Sequence, residues 1–212
     1  MATKVLHVVE SLSSGVATAI EAYVENRPEG TEHVVYGYRR PGVQVGDGLS
    51  EHARVVELPE GRAGQLSTVR QGLRSERPDV VHVHSSWAGL AVSSMPKPKG
   101  VRWVYTPHGF AFERLDLPER ARRAVLAVER GLLRRTDAVA AVGRYEATLA
   151  RQLGGDVEVV EVPHTLPARA RAELGATGSL PGSDGSDGSD GGVRVCAPVS
   201  YTHLTLPTKR IV

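Results

Sequence analysis

Cysteine is nearly absent: the 212-residue chain has one, Cys196. A single thiol can form no internal disulfide and no thiolate zinc cluster, so neither staples this fold. Strong charge of either sign is also missing. The formal net charge is +2, too little to give the basic field that nucleic-acid binding needs, and no nucleic-acid partner is expected. No apolar run reaches membrane-spanning length. The first one, around Val5–Val9, is broken by His7 and ended by Glu10, which is too short for a secretory signal. The expectation is a cytoplasmic protein. The sequence has neither a Gly-x-Gly-x-x-Gly fingerprint nor the Gly-Lys-Ser/Thr of a phosphate-binding loop, which disfavours a dinucleotide-dependent dehydrogenase. Lysine is scarce, at four of the 26 basic residues. With abundant Ala, Gly and Val, this is the composition of a GC-rich bacterial genome.

What is present is organised around residues 78–110. Asp79-Val-Val-His-Val-His84 reads as a strand bounded by Pro78 and by Ser85-Ser86. Val101–Tyr105 reads as a second strand, closed by Thr106-Pro107. Between them Ser86 is placed to N-cap a short helix through Ala91, stopped by Pro96. This is one βαβ unit with a parallel pair. His84, Ser85, Ser86, Thr106, His108 and Gly109 then gather at the carboxyl ends of the strands, the edge where open α/β sheets bind ligands.

The flanks repeat the pattern. Lys4–Val9 is an apolar strand, followed by a loop with Gly15 and a helix with Val16, Ala19, Ile20, Tyr23 and Val24 on one face. Strand, loop and helix in that order aim backbone N–H groups at an anion, although a lone glycine also suits a tight turn. His33–Tyr38 and Arg54–Leu58 are strands, with a polar loop over Val43–His52 between them. Gln65–Glu76 is a helix with Leu66, Val69 and Leu73 aligned. Pro118 opens a long helix whose apolar stripe is Ala121, Ala124, Val125, Val128 and Leu132. Its many arginines fit a basic membrane-facing helix or a solvated face. The alanine-rich stripe without large aromatics, and the i,i+4 pair Glu119–Arg123, favour the solvated face. Asp137–Val142 and Val157–Val162 are further strands around the helix Tyr145–Leu153, and Ala168–Leu174 is a short helix. The class is α/β, a doubly wound parallel Rossmann-like sheet.

The ordered unit is expected over residues 1–175. Residues 176–192, dominated by the Gly/Ser/Asp repeat Gly182–Gly192, have nothing to bury and read as a flexible linker. Residues 193–198 read as the start of a second, truncated domain. Residues 199–212 resemble the in-frame translation of a transposon-type sequencing-library adapter. The match covers Val199–Thr208, and the adapter's remaining bases predict three free codons, a valine and a stop, as in Lys209-Arg210-Ile211-Val212. The tail is expected to be an artefact, and His203 receives no role.

Among the other histidines, His7 inside its strand reads as a satisfied core residue, and His33 and His52 carry no signal. His82 and His84 alternate along one strand and face the same side. They form a conceivable metal pair, but no third ligand has suitable spacing. His108, between Thr106-Pro107 and Gly109 at a strand end, is placed to orient a hydroxyl or stabilise charge. His164 sits at another strand end.

Four stretches together resemble the N-terminal domain of retaining GT-B glycosyltransferases of family 4. They are the first strand with its loop, Asp79–His84, Tyr105-Thr-Pro-His-Gly109, and Thr136-Asp-Ala-Val-Ala-Ala-Val142, and the resemblance spans about residues 4–167. It implies the N-terminal half of a GT-B architecture, in which two Rossmann-like domains face each other across a cleft. It implies transfer of a sugar from a nucleotide-sugar donor to an acceptor hydroxyl, with retention. The acceptor would be a glycan, a lipid or a small molecule. No metal or other cofactor is expected, and a peripheral contact at the inner membrane face is compatible with the family. Residue by residue, His108 matches the histidine close to the transferred sugar. Ser14 and Gly15 match the loop near donor phosphates and acceptor, with Ser14 where many members have a second glycine. His84 and Ser85, together with Thr106 and Gly109, match the polar strand ends that bind substrate. His164 departs from an asparagine-containing turn. The chain alone is expected to be inactive. Two other readings stay open: a non-catalytic sugar- or nucleotide-binding domain, and a nucleotide-sugar epimerase of the same fold.

Overall fold

In the computed structural model, which describes residues 2–41 and 48–177, seven parallel strands form one sheet. They are β1 (Thr3–Val9), β2 (Thr31–Gly37), β3 (Arg54–Glu57), β4 (Val80–His84), β5 (Arg102–Thr106), β6 (Ala138–Ala141) and β7 (Glu158–Glu161). Helices alternate with them: α1 (Ser14–Glu25), α2 (Gly48–His52), α3 (Arg62–Glu76), α4 (Ser85–Ser93), α5 (Glu119–Leu133), α6 (Arg144–Gly154) and α7 (Ala168–Thr177). A 3-10 turn spans Ala111–Glu113. The order across the sheet is β3-β2-β1-β4-β5-β6-β7, so the winding reverses between β1 and β4. The expected doubly wound α/β class is what forms. Helix α7 runs to Thr177, two residues into the expected linker; the rest of the linker, the 193–198 strand and the 199–212 tail lie outside the described residues, as do residues 43–47 of the loop expected over Val43–His52.

Two aspartates at matching positions hold the lower ends of the strands. Asp79 and Asp137 each precede a short apolar strand. The Asp79 carboxylate accepts the backbone N–H of Lys4 at 2.8 Å, and that of Asp137 accepts the N–H of Trp103 at 2.6 Å. The Asp-Val-Val and Asp-Ala-Val motifs therefore work as register pins, adding a charge-assisted bond where the ladder begins.

Side-chain parity sorts the core onto two faces. On one face Leu6, Val8, Val34, Val81, Val83, Trp103, Tyr105 and Val139 pack with Val69 and Leu73 of α3, Val92 of α4, Leu132 and Leu133 of α5 and Ala147 of α6. On the other, Val9 and Val35 pack with Ile20 and Val24 of α1 and Leu49 of α2. The opposite parity along β1, β2 and β4 also carries His7, His33, His82 and His84. On this face the apolar layer gives way to imidazole. The closing helix α7 is tied to α1: Glu25 accepts the N–H of Ala168 at 2.8 Å, and Arg169 Nε pairs with Glu21 at 2.8 Å.

Several expected boundaries move. Gly48–His52 forms a short helix rather than loop, because Leu49 has a place in the core. Leu66 is exposed, and the inner face of α3 is Gln65, Val69, Gly72 and Leu73. His84, not Ser86, occupies the N-cap of α4, and the Ser86 hydroxyl instead donates to Glu129. The stripe on α5 is rotated from the expected one. Ala124 and Val128 are exposed, while Glu129, Leu132 and Leu133 are buried. The Glu129 carboxylate tolerates burial because Ser86 and Tyr105, the latter at 2.9 Å, both donate to it. The expected Glu119–Arg123 pair forms at 3.0 Å.

Two helical glycines separate packing from propensity. A Cβ at Gly72 would meet the Tyr36 ring at 2.7 Å, whereas one at Gly131 would meet nothing within 4 Å. Gly131→Ala is expected to stabilise by roughly 0.5–1 kcal/mol from helix propensity alone. Gly72→Ala is expected to destabilise by about 1–3 kcal/mol through overpacking. Urea unfolding of both variants checks this, and shifts of the same sign would contradict the packing described.

Candidate functional site

The winding reversal between β1 and β4 opens the sheet's carboxyl edge at the place where ligands bind in doubly wound folds. Two features of the local chain shape it. β4 passes into α4 without a loop, so Ser85 takes a left-handed conformation, φ 74°. After β5, His108 (φ 54°) and Gly109 (φ 90°) are left-handed in succession. Glycine suits such a turn, while serine and histidine pay a steric cost there. The remaining left-handed non-glycine among the described residues is Arg77, an ordinary helix end. Backbone strain therefore concentrates at Ser85 and His108, as it does at functional sites.

Behind these turns runs a row of imidazoles. His33 Nδ1 lies 2.8 Å from His7 Nε2, His7 Nδ1 lies 3.1 Å from His84 Nε2, and His84 Nδ1 lies 3.0 Å from His108 Nε2. His82 sits beside the row, its ring centroid 4.1 Å from that of His84 and its Nε2 2.8 Å from the Thr106 hydroxyl. The His164 ring lies 5.2 Å from His108, and Tyr23 of α1 covers His84 and His82. Burial lowers every one of these histidine pKa values. It takes His82 and His108 to about 3, assisted for His108 by the neighbouring His164 and His82, and it takes His7 and His84 well below the ordinary value. All four rings are neutral at pH 7. Burial also pushes the Tyr23 hydroxyl up to about 12.

Three buried polar atoms here have no protein partner: Ser85 Oγ, Tyr23 Oη and His108 Nδ1. An unpaired buried group costs about 1–3 kcal/mol, and such groups are rare. Two of the three, Ser85 Oγ and His108 Nδ1, belong to the two left-handed turns, and the third is on the Tyr23 ring that covers His84 and His82. Glu146 of α6 secures the turn from below. Its carboxylate accepts the N–H of Gly109 at 2.7 Å and that of Val142 at 3.0 Å, and burial raises its pKa despite both bonds.

The expected site residues fall into two layers. Ser85, His108 and Gly109 form the edge itself. Gly15 stands on the same edge in the first turn of α1, exposed, with open space where a side chain would be. Its φ is not left-handed, so a tight turn is not what requires glycine there. Ser14 opens α1, and its side chain lies outside the described residues. His84 and Thr106 are each 0% exposed with their polar atoms engaged, so they stand behind the edge and support it. His7, His33, Tyr23 and Glu146 were not among the expected site residues. Parity could have found the histidines: once β2-β1-β4 are placed side by side, His33, His7, His82 and His84 share one face. Nothing local distinguishes Glu146 from any other acid in a first helical turn.

Metal capacity follows from the same row. Ligand nitrogens of His7, His82 and His84 lie within 4.8 Å of one another. Strand pairing supplies the third histidine that linear spacing does not, with His7 in register with His82. Both His7 nitrogens already pair with imidazoles, so an ion there would have to replace one of those bonds. A separate open pocket of about 240 Å³ lies by the ends of β1 and β2, lined by Glu10, Ser11, Tyr38, Arg40, Glu60 and Arg62. There Arg62 pairs with Glu10 and lies 4.0 Å over the Trp87 ring.

The model of the glycosyl transferase 4-like domain matches residues 14–165. An uncharacterized 41.2 kDa protein in the cps region of Klebsiella pneumoniae is 28% identical over 159 residues, which is 71% of this chain and 43% of that protein. In fold, the chain is similar to sucrose-phosphate synthase from Thermosynechococcus elongatus, with TM-score 0.55 and 14% identity over 82% of this chain and 96% of that one. It is also similar to Anabaena HepE in complex with UDP-glucose, with TM-score 0.53 and 17% identity over 81% of this chain and 50% of that one. The chain thus spans about half the length of HepE and less than half that of the Klebsiella protein. No helix among the described residues is long and apolar enough to cross a membrane.

The neutral histidine row makes stability depend on pH. His7, His82, His84 and His108 have folded pKa values below the unfolded 6.5, so below that pH the unfolded chain binds protons that the folded chain does not. Their contribution is complete above about pH 6.5 and falls as pH drops, levelling only near 3 for His82 and His108. Each such group removes about 1.4 kcal/mol per pH unit. Urea unfolding from pH 7.5 to 5 is expected to show uptake of several protons, with cooperative loss of structure near pH 5. An uptake below one proton would mean that the row is not buried and neutral.

Proposed function

The chain belongs to the glycosyl transferase 4-like domain family, and from that premise we propose that the complete protein transfers a sugar from a nucleotide-sugar donor to an acceptor hydroxyl, with retention at the anomeric carbon. The observation that carries the reading is the cluster of unpartnered atoms at the switch point: His108 Nδ1, Ser85 Oγ and Tyr23 Oη. Sugar hydroxyls both donate and accept hydrogen bonds, as such unpartnered atoms require, and an apolar ligand does neither. HepE bound to UDP-glucose, on the same fold, supports a nucleotide sugar as the donor.

In the proposed reaction the bond from C1 to the diphosphate oxygen breaks, and the leaving diphosphate takes the electron pair. A bond from the acceptor oxygen to C1 forms on the same face, and the hydroxyl proton is released. His108 holds a hydroxyl of the transferred sugar and is the catalytic residue of this reading. Ser85 binds beside it, and Gly109 presents backbone on the same turn. Gly15 leaves the first turn of α1 open, so its unpaired N–H groups and positive helix end can face the diphosphate. His84 and Thr106 hold the layer behind. Neutralisation of the diphosphate by helix ends and basic side chains needs no metal. The nucleotide is proposed to rest on a second domain of the kind that the relatives' length accommodates, and the 212-residue chain alone is proposed to be inactive. The acceptor is a glycan, lipid or small-molecule hydroxyl.

The test is a panel of nucleotide sugars with the complete protein, followed by His108→Ala and His108→Gln. Both variants are expected to keep the far-UV spectrum and lower kcat by about 10²-fold or more. Near-normal turnover in a folded variant removes His108 from catalysis. Loss of the nucleotide sugar without an acceptor would favour interconversion over transfer.

A further inference from the structure

The histidine row ends at a hydroxyl far from the switch point, and that end dictates the proton positions. The Thr31 hydroxyl donates to the Pro28 carbonyl at 2.7 Å. A carbonyl only accepts and a hydroxyl has one proton, so Thr31 Oγ1 can only accept from His33 Nε2, 3.2 Å away. His33 therefore carries its proton on Nε2 and accepts at Nδ1. His7 must then donate from Nε2 and accept at Nδ1, and His84 must do the same. His108 in turn donates from Nε2 to His84 Nδ1. Its own Nδ1 is left as a bare lone pair, buried and without a partner.

We propose that Thr31 is a positioning residue: through His33, His7 and His84 it locks His108 in the Nε2–H tautomer, so that His108 presents only a hydrogen-bond acceptor to the ligand. This rests on the reading of His108 as the ligand-facing residue and sharpens it. A bare lone pair accepts a hydrogen bond from a sugar hydroxyl and repels a phosphate oxygen. His108 is thereby committed to the sugar, and the diphosphate to the open first turn of α1. The lock is carried by the contacts themselves: each ring-to-ring approach, at 2.8, 3.1 and 3.0 Å, needs one N–H and one lone pair. It also accounts for the burial of polar groups in a face that could have been apolar: each imidazole satisfies the next.

The test uses long-range ¹H–¹⁵N correlation spectra of the ligand-free 212-residue chain at pH 7.5, which identify the protonated nitrogen of each histidine without any assay of activity. The expected result is Nε2–H at His33, His7, His84 and His108. Thr31→Ser keeps that pattern, and Thr31→Val, which leaves His33 to water, gives a mixture of tautomers at His108. In the complete protein Thr31→Val then lowers kcat/KM, about twofold for two equally populated tautomers, and Thr31→Ser restores it. An Nδ1–H signal at His108 in the wild-type chain overturns the lock. An unchanged single tautomer at His108 in Thr31→Val overturns control by Thr31. Spectra in which EDTA or Zn²⁺ shifts His7, His82 and His84 assign those rings to a metal instead and overturn the proposal. These outcomes differ from failure of the functional reading, which appears as normal turnover in the His108 variants.

Discussion

A buried imidazole has one proton and two nitrogens, and the organisation of this sheet edge follows from that constraint. Four such rings stand in line from β2 across β1 and β4 to the turn after β5, each close enough to bond the next. None can charge without a desolvation penalty, and none can turn over without leaving a neighbour with two donors or two acceptors face to face. The row is stable only as a directed chain. Its outer end is satisfied at Thr31 and Pro28, and its inner end is unsatisfied at His108. The asymmetry leaves the row's unpartnered nitrogen at the turn after β5.

The same edge holds backbone strain and buried acid together. Ser85 and His108 adopt left-handed conformations that neither residue favours. Glu146 fixes the Gly109 amide, and Glu129 accepts hydrogen bonds from the Ser86 and Tyr105 hydroxyls just below. These carboxylates touch no exposed surface of the edge; they hold the two turns that do. The two left-handed residues are held in place by these bonds rather than by their own conformational preference.

Much of this fold was legible in the sequence, because its strands are short apolar runs bounded by Pro, Asp and polar residues, and the alternation with helices leaves few topologies. The strand ends carrying Ser85, His108 and Gly109 were legible for the same reason. The errors came where tertiary contacts override local pattern. Glu129 reads as part of a solvated face, yet it is buried because hydroxyls from two other elements meet it. Ser86 reads as an N-cap, yet its hydroxyl serves that same glutamate. Leu49 pulls an expected loop into a helix. The histidine row could not be read locally, since His33, His7 and His84 come from strands far apart in sequence. Only the order β2-β1-β4 makes their shared parity meaningful.

The most direct test of the central claim is a crystal structure of the complete protein with an intact nucleotide sugar. The account predicts a hydroxyl of the sugar within about 2.6–3.2 Å of His108 Nδ1, with the diphosphate against the first turn of α1. A sugar bound elsewhere, with His108 Nδ1 still unpartnered or facing a phosphate oxygen, would contradict it.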